Sequence, residues 1–415
     1  MPYVTTVIIG AGPAGLAMSK CLADRSIDHV VLERGEVGNS WATERWDSLR
    51  LLTPNWQSRL PGYRYQGDDP NGYMKAKEAA HYLRNYAIHL NAPIQNGTTV
   101  TAVRPARSGV GYEVATDRGL WTCHNVIMAS GACNIASRPK CADDISGVVR
   151  CITPKDYRRP DDLEDGKVLV VGASATGVQL AQEIQRSGRD VIISVGDHIR
   201  LPRHYRGRDI KEWMDRTGVL GSFYTEVDDL KRARSLPSLQ LIGSHAQDFL
   251  DLNTLQDQGV RVVGRLAGFR EGKAMFSGSL ANFCVSADLK MNRFLDSIDD
   301  WIEEKGETQA APAARRFAPT RVDERPALQI DLDAYGIKTV LFATGYRPDY
   351  SWLKVPVLDR KGRLIHDGGV TPAPGLYAMG LSFMRRRKST LIDGVGDDAH
   401  DIADHLTMQL GQKAA

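Results

Sequence analysis

The sequence has little of several features that would place it in a familiar class. Its 415 residues include six cysteines, and no two of them form a C-x-x-C pair. No apolar run approaches the roughly 20 residues that a membrane-spanning helix needs. The apolar stretch 7–18 is interrupted by three glycines and a proline. Because it also lacks a basic leader and a cleavage site, it is unlike a signal peptide. We therefore expect a cytoplasmic protein without a membrane partner.

The chain also lacks an excess of either charge. It has 53 Lys and Arg against 50 Asp and Glu, a net charge of +3, which does not favour a nucleic-acid partner. The ten histidines show no metal-ligand spacing, so no metal site is predicted. A composition of 42% hydrophobic and 25% charged residues is typical of a globular protein. The chain is longer than a domain with a single hydrophobic core usually is, which predicts two or three domains.

What the sequence does contain is a glycine-rich turn near its N-terminus. Residues 3–9 predict a buried strand, G-x-G-x-x-G follows, and a second strand, 29–32, ends in an acidic residue 18 positions after the last glycine. This order predicts a dinucleotide cradle, in which the turn and helix N-terminus face a pyrophosphate and the carboxylate binds a ribose. The alternative is an ordinary strand–helix turn. The predicted cofactor-binding residues are Gly10, Gly12, Pro13, Ala14, Gly15, Glu33 and Arg34.

A second turn of the same kind lies in mid-chain. Residues 167–171 predict a strand, G-x-S-x-x-G follows, and the next strand, 191–195, lacks a terminal acid. The arginines after that strand favour a 2′-phosphate and hence NADPH, although Asp197 speaks weakly against this. The alternative for the arginines is a solvated basic loop. The predicted cofactor-binding residues are Gly172, Ser174, Ala175, Thr176, Gly177, Arg200 and Arg203.

Two cradles indicate two dinucleotides, as in flavoproteins whose FAD is reduced by a nicotinamide. The predicted fold class is α/β, with two Rossmann-like dinucleotide-binding domains. A discontinuous FAD domain, residues 1–160 and 327–415, is expected to carry an inserted NADPH domain, residues 161–326. The segment 305–326, rich in Pro, Ala and charge, is interpreted as the linker back into the FAD domain.

Four motifs make the chain resemble the class B flavoprotein monooxygenases, which include the flavin-containing, YUCCA-type and Baeyer–Villiger enzymes. They are the first glycine turn with Glu33, the segment 38–41 (GNSW), the segment 129–131 (ASG) and the segment 341–346 (LFATGY). The resemblance covers essentially the whole chain. The segments 40–46 and 381–395 are similar to a divergent bacterial branch of FAD-dependent oxidoreductases.

The resemblance implies an NADPH-dependent monooxygenase that acts through a C4a-(hydro)peroxyflavin. One oxygen of O2 would enter a small organic substrate by N-oxygenation, S-oxygenation or Baeyer–Villiger chemistry. It implies a catalytic role for Asn55, whose alternative is a residue of a Pro-flanked turn. Trp46 could equally be core. The basic run 385–388 is either a surface loop or an anion-attracting cluster. The implied flavin or nucleotide contacts are Ser40, Trp41, Arg45, Trp46, Thr53, Thr344, Gly345, Asp393 and Gly394.

One departure from the resembled family concerns a histidine motif just before the second turn. In the segment 145–160, Cys151 stands at the histidine position if Gly147 is the motif glycine, and Thr153 does if Tyr157 anchors the motif. The missing histidine keeps open a thiol-free NADPH oxidase or reductase. The absence of a cysteine pair disfavours a thiol-dependent reductase. A third hypothesis for the function is a FAD-bearing protein without turnover. For the oligomeric state, a homodimer is one expectation.

Overall fold

A computed structural model describes residues 2–107, 109–145, 149–244, 246 and 249–414. Within these ranges lie nine α-helices: α1 Pro13–Ala23, α2 Asn39–Thr43, α3 Ala76–Leu90, α4 Ala175–Arg186, α5 Ile210–Arg216, α6 Leu230–Arg234, α7 Leu252–Asp257, α8 Leu280–Glu304 and α9 Val395–Ala414. Short 3-10 helices cover Asn55–Gln57, Lys140–Asp144, Pro160–Asp162, Val219–Gly221 and Tyr224–Glu226.

The strands of the same described residues number 23. They are β1 Tyr3–Ile9, β2 His29–Leu32, β3 Arg59–Leu60, β4 Tyr63–Arg64, β5 Ile94–Gln95, β6 Val100–Pro105, β7 Tyr112–Thr116, β8 Gly119–Met128, β9 Ile135–Ala136, β10 Arg150–Ile152, β11 Lys167–Val171, β12 Val191–Ser194, β13 Ile199–Arg200, β14 His204–Tyr205, β15 Arg208–Asp209, β16 Leu239–Gln240, β17 Arg261–Val263, β18 Leu266–Arg270, β19 Lys273–Phe276, β20 Gln329–Asp331, β21 Ile337–Phe342, β22 Tyr346–Arg347 and β23 Leu376–Ala378.

The first large sheet forms around β1. Its strand order is β5-β2-β1-β8-β7-β6, and β23 also pairs with β8. The pairs β1–β2, β1–β8, β2–β5 and β8–β23 are parallel, whereas β6 and β7 add an antiparallel edge. Five of the seven β1 side chains are buried, which fits a central strand that is covered on both faces. Helices α1, α3 and α9 pack on one face.

The second large sheet is wholly parallel, with the order β10-β21-β11-β12-β17. Helix α4 and parts of α7 and α8 cover one face, and β18, β19 and β20 contribute to the cluster on the other. The predicted α/β class with two Rossmann-like domains is therefore confirmed.

The second sheet includes strands from outside the predicted limits of the inserted domain. Strand β10 precedes the expected boundary at 160, and β21 follows the expected boundary at 326, yet both pair within the sheet of β11. The sheet therefore takes strands from about 150 to 342. The two sheets are equivalent in this respect, because β21 pairs with β11 as β8 pairs with β1.

None of the helices in the described ranges combines the length and the hydropathy of a membrane span. No group of three or more His, Cys, Asp or Glu side chains in the described part of the chain is placed to hold a metal ion.

Candidate dinucleotide sites

The first glycine turn connects β1 to α1, and its three glycines serve different purposes. Gly10 has φ +105°, and a Cβ there would lie 2.6 Å from the carbonyl oxygen of Ala129. A Cβ on Gly15 would lie 1.9 Å from the carbonyl oxygen of Gly10. Gly12 is different, because its φ of −82° and ψ of −176° suit any residue and a Cβ would meet nothing within 4 Å. The protein's own packing therefore does not require glycine at position 12, and the open space lies before a helix N-terminus that attracts anions.

The second turn repeats this geometry between β11 and α4. Gly172 has φ +107°, and a Cβ there would lie 2.5 Å from the carbonyl oxygen of Ala343. A Cβ on Gly177 would lie 1.8 Å from the carbonyl oxygen of Gly172. Ser174 has φ −81° and ψ −176°, nearly the values of Gly12, and its side chain does not cap the helix. The serine thus stands in the same open place, with a hydroxyl that a ligand can use.

The two segments that resembled family motifs occupy equivalent positions. Residues 129–131 follow β8 beside the first turn, and residues 343–345 follow β21 beside the second. Gly345 has φ +92° and no neighbour within 4 Å of a Cβ, and Thr344 is exposed and donates to the carbonyl of Ser137. The predicted residues Thr344 and Gly345 therefore lie at the second turn.

Glu33, at the end of β2, is positioned beside the first turn. Its carboxylate accepts hydrogen bonds from the backbone amides of Ala11 at 2.8 Å and Gly35 at 3.0 Å. A cavity of about 420 Å³ opens here, lined by Gly10, Glu33 and the exposed Arg34, which also pairs with a neighbouring glutamate. This carboxylate is fixed by two amides and faces a space that can hold a nucleoside.

The predicted phosphate-binding arginines are buried instead. Arg200 is 2% exposed, and its guanidinium donates to Asp251 at 2.9 Å and Asp288 at 2.7 Å. Arg203 is 1% exposed and donates to Asp209 at 2.8 Å and to the carbonyl of Leu52 at 2.8 Å. Carboxylates already neutralise both charges. Their burial and pairing therefore do not favour the predicted binding of a 2′-phosphate by these two residues.

An arginine that the sequence did not single out lies closer to the relevant strand end. Arg265 is exposed, and its Cδ lies 3.4 Å from where a Cβ on Gly196 would be. Gly196 follows β12 by two residues, and this strand end is where the adenine ribose lies in such folds. On the other side, Lys290 pairs with Asp197 at 3.3 Å. No short-range signal could have identified Arg265, which is about 70 residues away in sequence.

The segment after Glu33 folds into α2 and a turn. Ser40 and Trp41 are half-buried on α2, and the Arg45 guanidinium lies 5.6 Å from the centre of the Trp41 ring. Trp46, in contrast, is 5% exposed and packs into the hydrophobic cluster of the inserted domain with Ile152. The core alternative for Trp46 is therefore the one that its packing supports.

Asn55 holds a turn together. Its Nδ2 donates to the carbonyl of Asp69 at 2.9 Å, and its Oδ1 accepts from the amide of Met74 at 2.9 Å. These bonds support the turn alternative for Asn55, although the residue also lines a cavity of about 670 Å³. Nearby Thr53 is half-buried. Gln57 is 1% exposed, and neither of its amide atoms has a partner among the described residues.

The start of α9 is connected to the 55–60 segment by a salt bridge. Asp393 is 7% exposed and accepts from Arg59 Nη2 at 2.9 Å. The hydrogen bond to Asp393 raises the pKa of Arg59 above its ordinary value. Gly394 is required by packing, because a Cβ there would lie 1.9 Å from the carbonyl oxygen of Lys388. Both predicted residues thus lie directly before the N-terminus of α9.

Three of the four residues in the basic run 385–388 are paired with acids of α9. Arg385 donates to Asp401, and Arg386 donates to Asp398 and Asp401. Lys388 pairs with Asp397 and also with Asp393, which lies just before α9. Most of the run therefore serves neither as a free surface loop nor as an open anion cluster.

The region of the missing histidine is partly described. Gly147 lies outside the described residues. Cys151 is half-buried on β10, and burial raises the pKa of its thiol. Thr153 closes a turn, because its backbone amide and hydroxyl both donate to Asp156, at 2.9 and 2.8 Å. Tyr157 is buried, and its hydroxyl donates to Glu183 at 2.9 Å. Neither candidate position carries a group that could replace an imidazole.

The two domains meet at a cavity of about 630 Å³. Trp46 and Tyr73 line it from the first domain, and Gln179, Gln182 and Ile242 line it from the inserted domain. A space of this size can hold a small organic molecule.

Comparison with known proteins supports the resemblance predicted from the sequence. The chain is 30% identical over 410 residues to an uncharacterized CzcO-like oxidoreductase of Geobacillus kaustophilus, covering 97% of this chain and 99% of that protein. It is 30% identical over 210 residues to the probable indole-3-pyruvate monooxygenase YUCCA1 of Arabidopsis thaliana, covering 48% of this chain and 49% of that enzyme.

A solved structure and a family profile complete the comparison. The flavin-containing monooxygenase of Stenotrophomonas maltophilia has the same fold, with a TM-score of 0.69, 18% identity, and coverage of 98% of this chain and 99% of that one. The pyridine nucleotide-disulphide oxidoreductase profile matches residues 7–215. The chain therefore belongs to the pyridine nucleotide-disulphide oxidoreductase family.

Proposed function

We propose that this oxidoreductase is an NADPH-dependent flavoprotein monooxygenase, with FAD at the first glycine turn and NADPH at the second. The observation that carries the proposal is the repeated turn geometry. At Gly12 and Ser174 the backbone angles agree within about a degree, and the space before each helix is open at Gly12 and faced by a free hydroxyl at Ser174. One chain thus offers two places for two dinucleotides.

The residues of the first turn fit FAD. The amides at the start of α1 would face the pyrophosphate, in the space that Gly12 leaves open. Pro13, at the first helical position, has no amide hydrogen and needs no acceptor there. The Glu33 carboxylate, held by two backbone amides, would accept hydrogen bonds from the ribose hydroxyls.

The residues of the second turn also fit NADPH, with fewer fixed contacts than the first turn offers FAD. Ser174 would face the pyrophosphate, and β12 ends without a carboxylate that would repel a 2′-phosphate. Arg265, exposed beside Gly196, is the guanidinium that we expect to bind this phosphate. Arg200 and Arg203 keep a structural role, because each is already paired with a carboxylate.

When bound, the flavin accepts a hydride from the nicotinamide and passes electrons to O2, so that one oxygen atom can enter a small organic substrate. The chain's contribution is to hold both dinucleotides, to orient the substrate and to exclude water. Asn55 contributes by fixing the backbone from 69 to 74, through its two hydrogen bonds, and so shapes the wall of the cavity that it lines. The acceptor class, whether amine, sulfide or ketone, is for the experiment to determine.

A second candidate function follows from the missing histidine. Thr153 uses its hydroxyl within a turn, and the Cys151 thiol is half-buried, so neither can perform the task of an imidazole. A flavoprotein that reduces O2 without oxygen insertion, a thiol-free NADPH oxidase or reductase, would be compatible with this.

One experiment distinguishes the two candidates. The purified protein is titrated anaerobically with NADPH and, separately, with NADH while the flavin absorbance is recorded. Oxygen is then admitted in the presence of amine, sulfide and ketone probes, and H2O2 and oxygenated product are measured per NADPH consumed. A monooxygenase gives oxygenated product with less than stoichiometric H2O2 for at least one probe. Stoichiometric H2O2 with every probe supports the oxidase, and a flavin that NADPH does not bleach contradicts both.

A further inference from the structure

One member of the basic run, Arg387, is set apart by having no acidic partner. Among the residues that the structure describes, no carboxylate or carbonyl accepts a hydrogen bond from its guanidinium, and its Nε is buried without a partner. The side chain is half-buried and lies over the Phe383 ring, 4.9 Å from the ring centre. Burial without a compensating charge lowers the pKa of Arg387.

The Nε of Arg387 is costly to leave in this position. A buried donor without a partner destabilises the folded state, and partial burial of a charge adds to this cost. The three neighbouring cations show that acids are available here, since Arg385, Arg386 and Lys388 all reach carboxylates of α9. An arginine that is kept unpaired beside three paired cations points to an anionic ligand.

The backbone around Arg387 is held firmly. The buried hydroxyl of Ser389 accepts hydrogen bonds from the amides of Arg385 at 3.1 Å and Arg386 at 2.9 Å, and donates to the carbonyl of Arg386 at 2.7 Å. Arg386 is in turn anchored to Asp398 at 2.9 Å. The backbone that carries Arg387 is therefore held in place before any ligand binds.

Arg387 also lies where the two domains touch. Its amide donates to the carbonyl of Ser222 at 3.2 Å, and the amide of Lys388 donates to that of Leu220 at 3.1 Å, both in the inserted domain. The carbonyl of Lys388 packs against Gly394, at the start of α9. A ligand on Arg387 would thus lie at the junction of both domains, next to the helix start where we place the flavin contact.

We propose that Arg387 binds the carboxylate of an anionic substrate, so that the enzyme prefers organic acids to their neutral analogues. The planar guanidinium can donate two parallel hydrogen bonds to a carboxylate, and the Phe383 ring supports its face. This inference rests on the proposed function, because it takes the bound anion to be the substrate. Its test measures binding and not turnover.

The test uses the FAD-loaded protein and isothermal titration calorimetry. The probes are 4-(methylthio)benzoate, its uncharged primary amide, 4-(methylthio)phenyl phosphate and NADPH. The variants are Arg387→Met, which keeps apolar contact with Phe383, Arg387→Lys, and Arg84→Met as a control on the exposed face of α3. Since Arg387→Met removes an unsatisfied donor, we expect it to fold with an unchanged or higher melting temperature.

We expect the wild type and Arg84→Met to bind the benzoate at least tenfold more tightly than the amide. Arg387→Met should lose this preference, and Arg387→Lys should keep only part of it. Four results would overturn the inference: equal binding of benzoate and amide by the wild type, no binding of either, a preference that survives Arg387→Met, or tighter binding of the phosphate than of the benzoate. A loss confined to NADPH binding in Arg387→Met would also overturn it, by assigning the residue to the dinucleotide.

The outcome is separable from that of the proposed function. A wild-type flavin that NADPH bleaches but that yields only H2O2 would contradict the monooxygenase, while the carboxylate preference could still be present and would still depend on Arg387. Conversely, oxygenated product without any carboxylate preference would contradict only the present inference.

Discussion

Replacing Gly12 by valine should separate folding from FAD binding. The backbone angles of Gly12 suit any residue, and no atom lies within 4 Å of an added Cβ, so the cofactor-free chain has room for the valine. Replacing a glycine at a compatible position stabilises a protein by about 0.4–1 kcal/mol, because the unfolded chain loses freedom. We therefore expect Gly12→Val without cofactor to be as stable as the wild type or slightly more stable.

The same valine should abolish FAD binding, because its methyl groups would occupy the space assigned to the pyrophosphate. A ligand present at 100 times its dissociation constant stabilises the folded state by about 2.7 kcal/mol. The assay is thermal or urea unfolding of the apoprotein with and without added FAD. The wild type should gain about this stabilisation, and Gly12→Val should gain none.

Two controls sharpen this comparison. Gly15→Ala should destabilise the apoprotein itself, because the new Cβ would lie 1.9 Å from the carbonyl oxygen of Gly10. Ser174→Val should retain FAD and raise the NADPH concentration needed for half-maximal flavin reduction. If Gly12→Val binds FAD normally, or if it loses FAD only because the apoprotein is unfolded, the assignment of the first turn is wrong.

Four further predictions concern individual side chains. Arg265→Gln should raise the KM for NADPH at least tenfold without changing the KM for NADH, which steady-state kinetics would measure. Arg203→Met should leave the preference for NADPH over NADH unchanged. It should instead lower the free energy of unfolding, measured by urea titration, by about 3–5 kcal/mol. Gln57→Leu should raise the apoprotein's free energy of unfolding by about 1–3 kcal/mol, because two partnerless buried amide atoms disappear; urea titration would refute this by showing a loss. Burial, aided by Arg234, lowers the pKa of His366 to about 4 from its ordinary 6.5. The unfolded chain therefore takes up a proton first, stability should fall between pH 6.5 and 4, and His366→Asn should reduce that loss in acid unfolding.

Local patterns allowed the sequence to predict both nucleotide turns. The expected strands 3–9, 29–32 and 167–171 agree with β1, β2 and β11. Short apolar runs next to glycine turns depend on neighbours within a few residues, so their structure can be inferred without knowledge of the whole fold. The same holds for the two glycines with positive φ at the turn entrances, Gly10 and Gly172.

The sequence-based expectations and the structure differ where two interacting residues or strands lie far apart in the chain. The acids that neutralise Arg200 follow it by 51 and 88 residues, so the sequence displays the cations and hides their partners. Strand β21 joins a sheet whose central strand lies about 170 residues earlier, which chain order alone assigned to the other domain. Trp46 packs into the inserted domain's core although it precedes that domain by about 100 residues. Long-range pairing of charges and strands is decided by the fold and not by local preference.

The second glycine turn has a serine where the first has its middle glycine, although the backbone conformations at these two positions are nearly equal. Because Gly12 and Ser174 have nearly the same backbone angles, the two turns differ at this position only in the side chain. At the first turn the glycine leaves the phosphate space open, and Glu33 adds a fixed carboxylate for the ribose. At the second turn a serine side chain stands at the edge of this space, and the residue directly after β12 is Val195 in place of an acid. The first arrangement suits a cofactor that stays bound through many turnovers, and the second suits one that must leave after each hydride transfer. A single frame, used twice with different side chains, would thus give one chain a resident dinucleotide and an exchanging one.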